Sequence, residues 1–203
     1  VNGRRMYLQC MGTGSPTVIL EAGLGDNSNT WSQVMPQVAT FTQVCAYDRA
    51  GLGQSESLGA VRTSQDMAAD WYRLLQTAGI EGPYVVVGHS LGGYNARIFA
   101  AAHETKVAGL VLADSSHPEQ NERLAQILPT EATGESESLH DFRMLVTAAP
   151  DDPTMNMELW NIAASAEQAG KYNSLGDMPL VVVTAGNKVQ PADFPAELAK
   201  EID

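Results

Sequence analysis

Residues 85–93 read Val-Val-Val-Gly-His-Ser-Leu-Gly-Gly, and the fold prediction starts from them. The valines predict a buried strand, and the alanine-rich residues 94–102 predict a helix. Between them, the pattern Gly88-x-Ser90-x-Gly92 is typical of a tight strand-to-helix turn that presents a serine hydroxyl above the strand end. Leu91 lies at the start of the predicted helix. Its backbone N–H is therefore expected to face a developing oxyanion. Because both flanking elements are present, the pattern favours a nucleophilic Ser90 over a glycine-rich turn with a chance serine.

The rest of the chain alternates between strand patterns and helix patterns. One helix is predicted from residue 27 or 28 to residue 38, and a second is capped by Thr63 and closed by Gly79. A rough alternation of polar and apolar residues predicts a strand at 5–10, and further strands are predicted at 17–22, 42–47, 107–113 and 180–184. This alternation predicts the α/β class, with a mostly parallel, doubly wound sheet.

Residues 118–177 interrupt the alternation. They lie between two predicted strands and are too numerous for a loop. We therefore predict a helical cap at 118–177, inserted between core segments 1–117 and 178–203. Acidic residues are concentrated in this segment, and we interpret them as a solvated surface rather than a device that steers substrate. Helical patterns within the segment occur at 119–128, 138–148 and 157–169.

The composition limits the classes of partner and cofactor. The chain has 203 residues and a formal net charge of −12, which argues against binding to nucleic acid or to an anionic membrane surface. The sequence shows no apolar run of membrane-spanning length, no signal peptide, and no metal-ligand or dinucleotide-binding motif. We therefore predict no cofactor and no metal. Because the sequence starts with Val1 rather than Met, we expect a processed or trimmed start.

Four stretches resemble one known family in their order and spacing. They are residues 21–25 (Glu-Ala-Gly-Leu-Gly), 47–55 (Tyr-Asp-Arg-Ala-Gly-Leu-Gly-Gln-Ser), 88–93 (Gly-His-Ser-Leu-Gly-Gly) and 110–114 (Leu-Val-Leu-Ala-Asp). Through them the chain resembles the α/β-hydrolases over residues 5–185, and the 47–55 loop together with the Ser90 turn makes the resemblance specific. It implies the α/β-hydrolase fold with a helical cap. The family's last strand and helix are expected to be missing.

The resemblance implies a role for each matching residue. Ser90 is the nucleophile, and the backbone N–H groups of Leu24 and Leu91 form the oxyanion hole. Asp48 and Arg49 tie their loop together rather than react. Haloalkane dehalogenases of similar fold use aspartate where this chain has Ser90. The resemblance therefore implies a carboxylic ester hydrolase that acts on a small-molecule ester through a Ser90 acyl-enzyme.

The acid and base of a serine triad have weaker matches in this sequence. For the acid, Asp114 ends the strand after the nucleophile's helix, and Asp193, after the following strand, is the alternative. The family carries its histidine after an eighth strand, but this sequence has no histidine after His140 and stops in a helical pattern that begins at Pro195. His117, on the loop after Asp114, is therefore the candidate base. A purely structural loop histidine is the alternative.

Because the family's catalytic histidine has no counterpart in this sequence, several interpretations of the function stay open. In one class the chain is a hydrolase: a weak one that uses His117 or water, a piece of a longer enzyme, or a homodimer that completes its site in trans through an exposed edge strand. The alternative class is a catalytically impaired binding protein or pseudoenzyme that keeps the pocket without the chemistry.

The resemblance also predicts how the two cysteines are arranged. In the resembled family, the strand that holds Cys10 lies beside the strand that holds Cys45, and the spacing of neighbouring strands suits a disulfide. The resemblance therefore implies a Cys10–Cys45 bridge. A bridge favours an extracellular or periplasmic location and free thiols favour the cytoplasm, so the compartment stays open.

Overall fold

A computed structural model describes residues 1–57, 59–147, 161–172, 174–186 and 194. The strands among these residues are β1 (Leu8–Met11), β2 (Thr17–Glu21), β3 (Val44–Tyr47), β4 (Tyr84–His89), β5 (Val107–Ala113) and β6 (Leu180–Val183). They form one sheet in the order β1-β3-β2-β4-β5-β6. β1 runs antiparallel to β3, and the other neighbouring strands are parallel.

Helices cover both faces of the sheet. Among the described residues they are α1 (Met35–Val38), α2 (Ser64–Thr77), α3 (Gly92–Ala102), α4 (Gln120–Ile127), α5 (Glu137–Thr147) and α6 (Ile162–Gly170). One core cluster joins the sheet to α2, α3 and α6, and a second joins it to α1 and the short 3₁₀ turn before it. The predicted α/β class and the mostly parallel, doubly wound sheet are thus confirmed.

Burial on both faces explains the apolar runs that predicted the central strands. β2 and β3 are buried along their whole length. Alternate residues of β2 point to opposite faces, so Ile19 belongs to the cluster beneath α2 and α3 whereas Leu20 packs with Met35 of α1. A strand that must be apolar on both sides therefore shows a continuous hydrophobic run instead of alternation.

Helix α2 begins and ends where the sequence predicts. The Thr63 hydroxyl accepts from the backbone N–H of Asp66, while the Asp66 carboxylate accepts from the N–H of Thr63, so the N-terminus carries a complete capping box. Gly79 has a φ of +69°, which lets the chain turn away just past the helix end. The buried face centres on Trp71, whose ring lies 4.5 Å from that of Phe99 on α3.

Two predicted elements have different bounds in the structure. The continuous helix expected at 27–38 is wrong: a 3₁₀ turn at Ser28–Trp31 is followed by the four-residue α1, because Pro36 lacks the N–H that a longer helix needs. The first strand begins at Leu8 instead of residue 5. Arg5 exchanges hydrogen bonds with Glu56 of the loop after β3, so this part of the chain pairs with a loop rather than a strand.

The described part of the predicted cap segment contains three helices with different partners. α4 and α5 pack on each other through a small cluster built from Leu124, Leu139 and Val146. α6 belongs to the main core, and its Ser165 hydroxyl accepts from the backbone N–H of Ser64 at the start of α2. The division at 118–177 stays a prediction. Three parts of the prediction lie outside the described residues. They are residues 157–160 of the predicted third helix, Asp193, and the helical pattern that begins at Pro195.

The two cysteines are paired directly across β1 and β3. Cys10 and Cys45 face each other in the antiparallel register with 4.1 Å between their Cα atoms, and their sulfur atoms are at bonding distance. The expected bridge is therefore present in the structure. The compartment that it favours stays a prediction.

Strand β6 is the edge of the described sheet beyond β5. All four of its residues are apolar, and each is between 49% and 60% exposed. This is the edge through which the sequence suggested a homodimer, and the homodimer stays a prediction. Among the described helices, none has the length and apolar character needed to cross a membrane.

Candidate active site

Ser90 lies at the turn between β4 and α3, in a conformation that is rare for any residue except glycine. Its φ is +51°, and its backbone is held there by two donors. The Ser90 carbonyl accepts from the N–H of Gly93 at 2.9 Å and from the N–H of Ser116, on the loop after β5, at 3.1 Å. Left-handed non-glycine residues persist only where the surroundings hold them, and they concentrate at functional sites.

The glycines around Ser90 are needed because backbone passes where side chains would be. A Cβ on Gly88 would lie 2.5 Å from the carbonyl oxygen of Gly92, and one on Gly92 would lie 2.6 Å from that of Ala22. A Cβ on Gly93 would collide with the Ser115 hydroxyl. The G-x-S-x-G pattern is therefore a steric requirement that lets the first turn of α3 rest directly on the end of β2.

The turn after β2 lies against Ser90. A Cβ on Gly23 would be 3.3 Å from the Cβ of Ser90. Gly23 and Asp26 close the turn through a 3.1 Å hydrogen bond from the N–H of Asp26 to the carbonyl of Gly23, and Gly25 supplies the positive φ of +70° that the third turn position requires. Leu24, at the second position, keeps its N–H out of this hydrogen bond.

The two amides predicted to form an oxyanion hole are available as donors. Neither the N–H of Leu24 nor that of Leu91 has an acceptor among the described residues. Leu24 precedes the positive-φ glycine of the β2 turn, and Leu91 is the N-cap residue of α3, where the helix dipole adds positive potential. Their assignment to an oxyanion stays a prediction.

Asp48 ties the 47–55 loop together, as the resemblance implied, and Arg49 joins this loop to the end of β2. The Asp48 carboxylate accepts from the N–H of Ser28 and from the N–H of Gln54, both at 2.8 Å. Arg49 is buried and donates to the Glu21 carboxylate at 3.0 Å and to the carbonyl oxygens of Ala22 and Gly23. Both residues therefore bind backbone near the site instead of facing open space.

Asp114 follows β5 at the same sheet edge as Ser90. His89 pairs with Ala113, so Ser90 and Asp114 are the next residues on adjacent parallel strands. Asp114 also has a positive φ, +44°, and its N–H donates to the carbonyl of Val183 at 2.7 Å. The structure therefore brings Asp114 to the level of Ser90, and its role as the triad acid stays a prediction.

His117 lies two residues beyond Ser115 on the same loop and is exposed. Its Nδ1 accepts from the backbone N–H of Glu119 at 3.2 Å, and its carbonyl accepts from the Tyr94 hydroxyl at 2.8 Å. Burial raises the pKa of Tyr94 to about 12, so that hydroxyl stays a donor at neutral pH. The loop is thus anchored to α3, while the imidazole keeps a local hydrogen bond. Its role as a base stays a prediction.

The other three histidines each have a side-chain contact of their own. His89 packs edge-on against Trp31 with ring centroids 6.3 Å apart, and His103 stacks on Tyr72 at 3.8 Å. His140 lies 3.5 Å from a carboxylate oxygen of Glu135.

One group of side chains among the described residues has donor atoms close enough for a metal ion. Glu131, Glu135 and His140 place one such atom each within 4.8 Å of the others. The Glu135 carboxylate, however, already receives two hydrogen bonds from the Arg143 guanidinium, at 3.2 and 2.8 Å. This guanidinium lowers the pKa of Glu135, so the carboxylate is ionised and its charge already compensated. Because Arg143 already pairs with the Glu135 carboxylate, we assign no metal to this cluster.

Comparison with known proteins identifies the family. A profile described as "alpha/beta hydrolase fold" matches residues 16–151, which is more than half of the chain. The chain belongs to the α/β-hydrolase fold family. Among solved structures, this α/β-hydrolase is similar to a thermophilic esterase from Thermogutta terrifontis (24% identity, TM-score 0.60, covering 89% of this chain and 75% of that one). It is also similar to an enol-lactonase from Burkholderia xenovorans LB400 (20% identity, TM-score 0.63, covering 100% and 85%).

Curated relatives of this α/β-hydrolase are longer. The uncharacterized protein YqjL of Bacillus subtilis (strain 168) is 26% identical over 179 residues, which are 88% of this chain and 65% of YqjL. A putative carbamate hydrolase, RutD, of Azorhizobium caulinodans is 33% identical over 109 residues, 54% of this chain and 40% of RutD. The chain therefore spans two thirds or less of these relatives.

Sequence reasoning missed the polar contacts that join the parts of the site in this α/β-hydrolase. The buried Asn95 amide donates to the Glu21 carboxylate at 2.6 Å, which links α3 to β2. The N–H of Ser116 binds the Ser90 carbonyl. Asn95 in a helix pattern and Ser116 in a loop carry no local signal, because each matters only through a partner far away in the sequence.

Proposed function

We propose that this α/β-hydrolase cleaves small carboxylic esters through an acyl-enzyme on Ser90. The observation that carries the proposal is the left-handed Ser90 at the end of β4, with the β2 turn and the N-terminus of α3 beside it. The N–H groups of Leu24 and Leu91 have no acceptor in the part of the chain that the structure describes. The proteins to which this chain is similar include an esterase, an enol-lactonase and a putative carbamate hydrolase, which supports hydrolysis of an acyl compound.

The proposed reaction has two balanced steps. The Ser90 Oγ forms a bond to the ester carbonyl carbon as its proton passes to a base, and the carbonyl electron pair moves onto oxygen, where the two amides stabilise it. The intermediate collapses, the C–O bond to the alcohol breaks, and the leaving oxygen takes up the proton. Water then attacks the acyl-enzyme in the same way, which releases the carboxylic acid and restores Ser90.

In this proposal Asp114 is the acid and His117 is the resident candidate for the base. Ser116 binds the Ser90 carbonyl, so His117 follows immediately after a residue that touches the nucleophile's backbone. A move of the 115–118 loop is needed to free Nδ1 from the Glu119 N–H before the imidazole accepts a proton.

The same histidine supports the second candidate function, a binding protein with the hydrolase pocket but little chemistry. Its Nδ1 is occupied and its side chain is exposed, which is the environment of a structural loop histidine. Loss of a triad member still leaves about 10³- to 10⁴-fold catalysis over water from the oxyanion hole and binding. Weak turnover alone therefore does not separate the two candidates.

Covalent labelling separates them. The chain is treated with p-nitrophenyl diethyl phosphate, and the adduct is measured by intact mass and located by peptide mapping. We expect one adduct at Ser90, none in Ser90→Ala, and native labelling in the control Ser174→Ala, which changes an exposed serine before β6. Labelling that is slower in His117→Ala assigns the base to His117. An unlabelled native chain contradicts the hydrolase proposal.

A further inference from the structure

The Arg49 guanidinium binds the peptide unit that carries one of the proposed oxyanion donors. Its Nη2 donates to the carbonyl oxygen of Gly23 at 2.5 Å, and its Nη1 donates to the carbonyl oxygen of Ala22 at 2.7 Å. The arginine side chain is only 4% exposed. A buried guanidinium is therefore directed at the backbone of the turn beside Ser90 instead of at solvent.

A fixed Gly23 carbonyl also fixes the direction of the Leu24 N–H. The two groups belong to one planar peptide unit, and this bond is trans, so they point in opposite directions. The Gly23 carbonyl accepts from Arg49 on one side and from the N–H of Asp26 on the other, so both of its lone pairs are engaged. Rotation of the peptide plane would take the Gly23 acceptor away from Nη2, and the loss of an acceptor by a buried charged donor is costly.

The Glu21 carboxylate connects this peptide unit to the second proposed donor. Its Oε1 accepts from Arg49 at 3.0 Å and from the Asn95 amide at 2.6 Å. Asn95 lies on α3 one helical turn after Leu91, whose N–H is the other donor. One fully buried carboxylate therefore holds the β2 turn and the start of α3 in a fixed relation.

We propose that Arg49 is a positioning residue that aims the Leu24 N–H at the oxyanion, an inference that rests on the proposed ester hydrolysis at Ser90. The guanidinium also polarises the shared peptide unit, because a charged donor on the carbonyl strengthens donation by the N–H at its other end. Arg49 touches neither the substrate nor Ser90 in this scheme. It acts through the peptide bond between Gly23 and Leu24.

The variant Arg49→Lys tests the proposal with little disturbance of the buried charge. Lysine keeps a positive charge beside Glu21 but presents a single ammonium, which cannot bind both carbonyls in the geometry of a planar fork. Arg73→Lys is the matched control, since Arg73 is largely exposed and pairs with Asp70 on α2. Circular dichroism and thermal melting show whether each variant is folded.

Two measurements test the expected effect of Arg49→Lys: the rate of labelling at Ser90 and the NMR chemical shifts of the Gly23–Leu24 peptide unit. The second-order rate constant for phosphorylation of Ser90 by p-nitrophenyl diethyl phosphate should fall about 10- to 100-fold in Arg49→Lys, as for the loss of much of one oxyanion donor, and stay native in Arg73→Lys. In isotope-labelled protein, the carbonyl carbon shift of Gly23 and the amide nitrogen shift of Leu24 should move in Arg49→Lys. In the native chain, the Leu24 amide proton should shift downfield when Ser90 is phosphorylated.

The outcomes distinguish a failure of the positioning role of Arg49 from a failure of the proposed ester hydrolysis at Ser90. If the native chain is not labelled at Ser90, the proposed function fails and Arg49 loses its role with it. If the native chain is labelled and Arg49→Lys reacts at the native rate, only the positioning role of Arg49 is overturned. If Arg49→Lys does not fold, an unchanged Leu24 amide in the phosphorylated native chain overturns it instead.

Discussion

Ser90 and Asp114 occupy equivalent positions on neighbouring parallel strands, and both have a left-handed backbone. Each follows the last paired residue of its strand, His89 and Ala113, and their φ values are +51° and +44°. Neighbouring strands lie about 4.8 Å apart, so the two residues leave the sheet side by side. Two such residues at one sheet edge indicate a site whose geometry the surrounding structure maintains.

The first prediction concerns the choice between Asp114 and Asp193 as the acid. Asn adopts the left-handed region at least as readily as Asp, so Asp114→Asn removes the charge and keeps the backbone. We expect Ser90-dependent hydrolysis of p-nitrophenyl acetate to fall about 10²- to 10⁴-fold in Asp114→Asn, because the imidazole loses its orienting carboxylate. Asp193→Asn should keep the native rate. The reverse result would assign the acid to Asp193.

The second prediction concerns the contact between α3 and β2. A Cβ on Gly92 would lie 2.6 Å from the carbonyl oxygen of Ala22 and 2.7 Å from that of Glu21, and backbone cannot rotate away as a side chain can. Gly92→Ala should lower the free energy of unfolding by about 1–3 kcal/mol and should slow the labelling of Ser90, since it separates the two proposed donors. Urea denaturation gives the first value.

Gly170→Ala is the matched control for that substitution. Gly170 is also in a helix, at the end of α6, and its Cβ would make an ordinary contact with Pro118 at 3.4 Å. It should be neutral or stabilising by about 0.5–1 kcal/mol, as for other glycines that are replaced by alanine where the backbone permits. If Gly92→Ala is equally harmless, the direct contact between α3 and β2 is not what holds the turn.

The features that could be predicted from the sequence are those that depend on residues close together in the chain. The Thr63 cap, the Gly79 stop and the Ser90 turn each rest on a few adjacent residues, and the structure has the elements that they predict. The one long helix expected at 27–38 failed because a single Pro36 outweighs a helical apolar pattern.

The site could be predicted only in part, for a related reason. Arg49 binds the carbonyl oxygens of Ala22 and Gly23, 27 and 26 residues earlier in the chain. Every residue has a carbonyl, so no side-chain pattern marks the two that Arg49 selects. The Asn95–Glu21 hydrogen bond likewise exists only once α3 and β2 are packed together. Long-range polar contacts of this kind depend on the assembled fold.

The third prediction concerns the Cys10–Cys45 bridge. The two cysteines are separated by 35 residues, and a cross-link over a loop of that size is expected to stabilise the folded state by about 3–4 kcal/mol, mainly by restricting the unfolded chain. The Cys10→Ser, Cys45→Ser double variant should lose that amount in urea denaturation without reductant. Adding dithiothreitol should lower the stability of the native chain to the same level and leave the double variant unchanged. Two free thiols in the folded native chain, seen by intact mass after alkylation, would contradict the bridge.

The last prediction concerns His103 at the end of α3. Burial lowers its pKa below the ordinary value of 6.5, and the nearby Lys106 charge lowers the pKa further. Below pH 6.5 the unfolded chain therefore binds a proton that the folded chain resists, so this residue makes the protein less stable as the pH falls through the window between 6.5 and the lowered value. Above pH 6.5 both states are neutral at this position, and the contribution to stability is constant.

His103→Phe keeps a ring against Tyr72 and Phe99 but cannot be protonated. Its free energy of unfolding should therefore decline less than that of the native chain between pH 7 and pH 5, measured by urea denaturation at each pH. Lys106→Met should give a smaller change in the same direction, because it removes the weaker of the two causes and leaves burial in place. Parallel pH profiles for the native chain and His103→Phe would show that His103 binds its proton equally well in the folded and unfolded states.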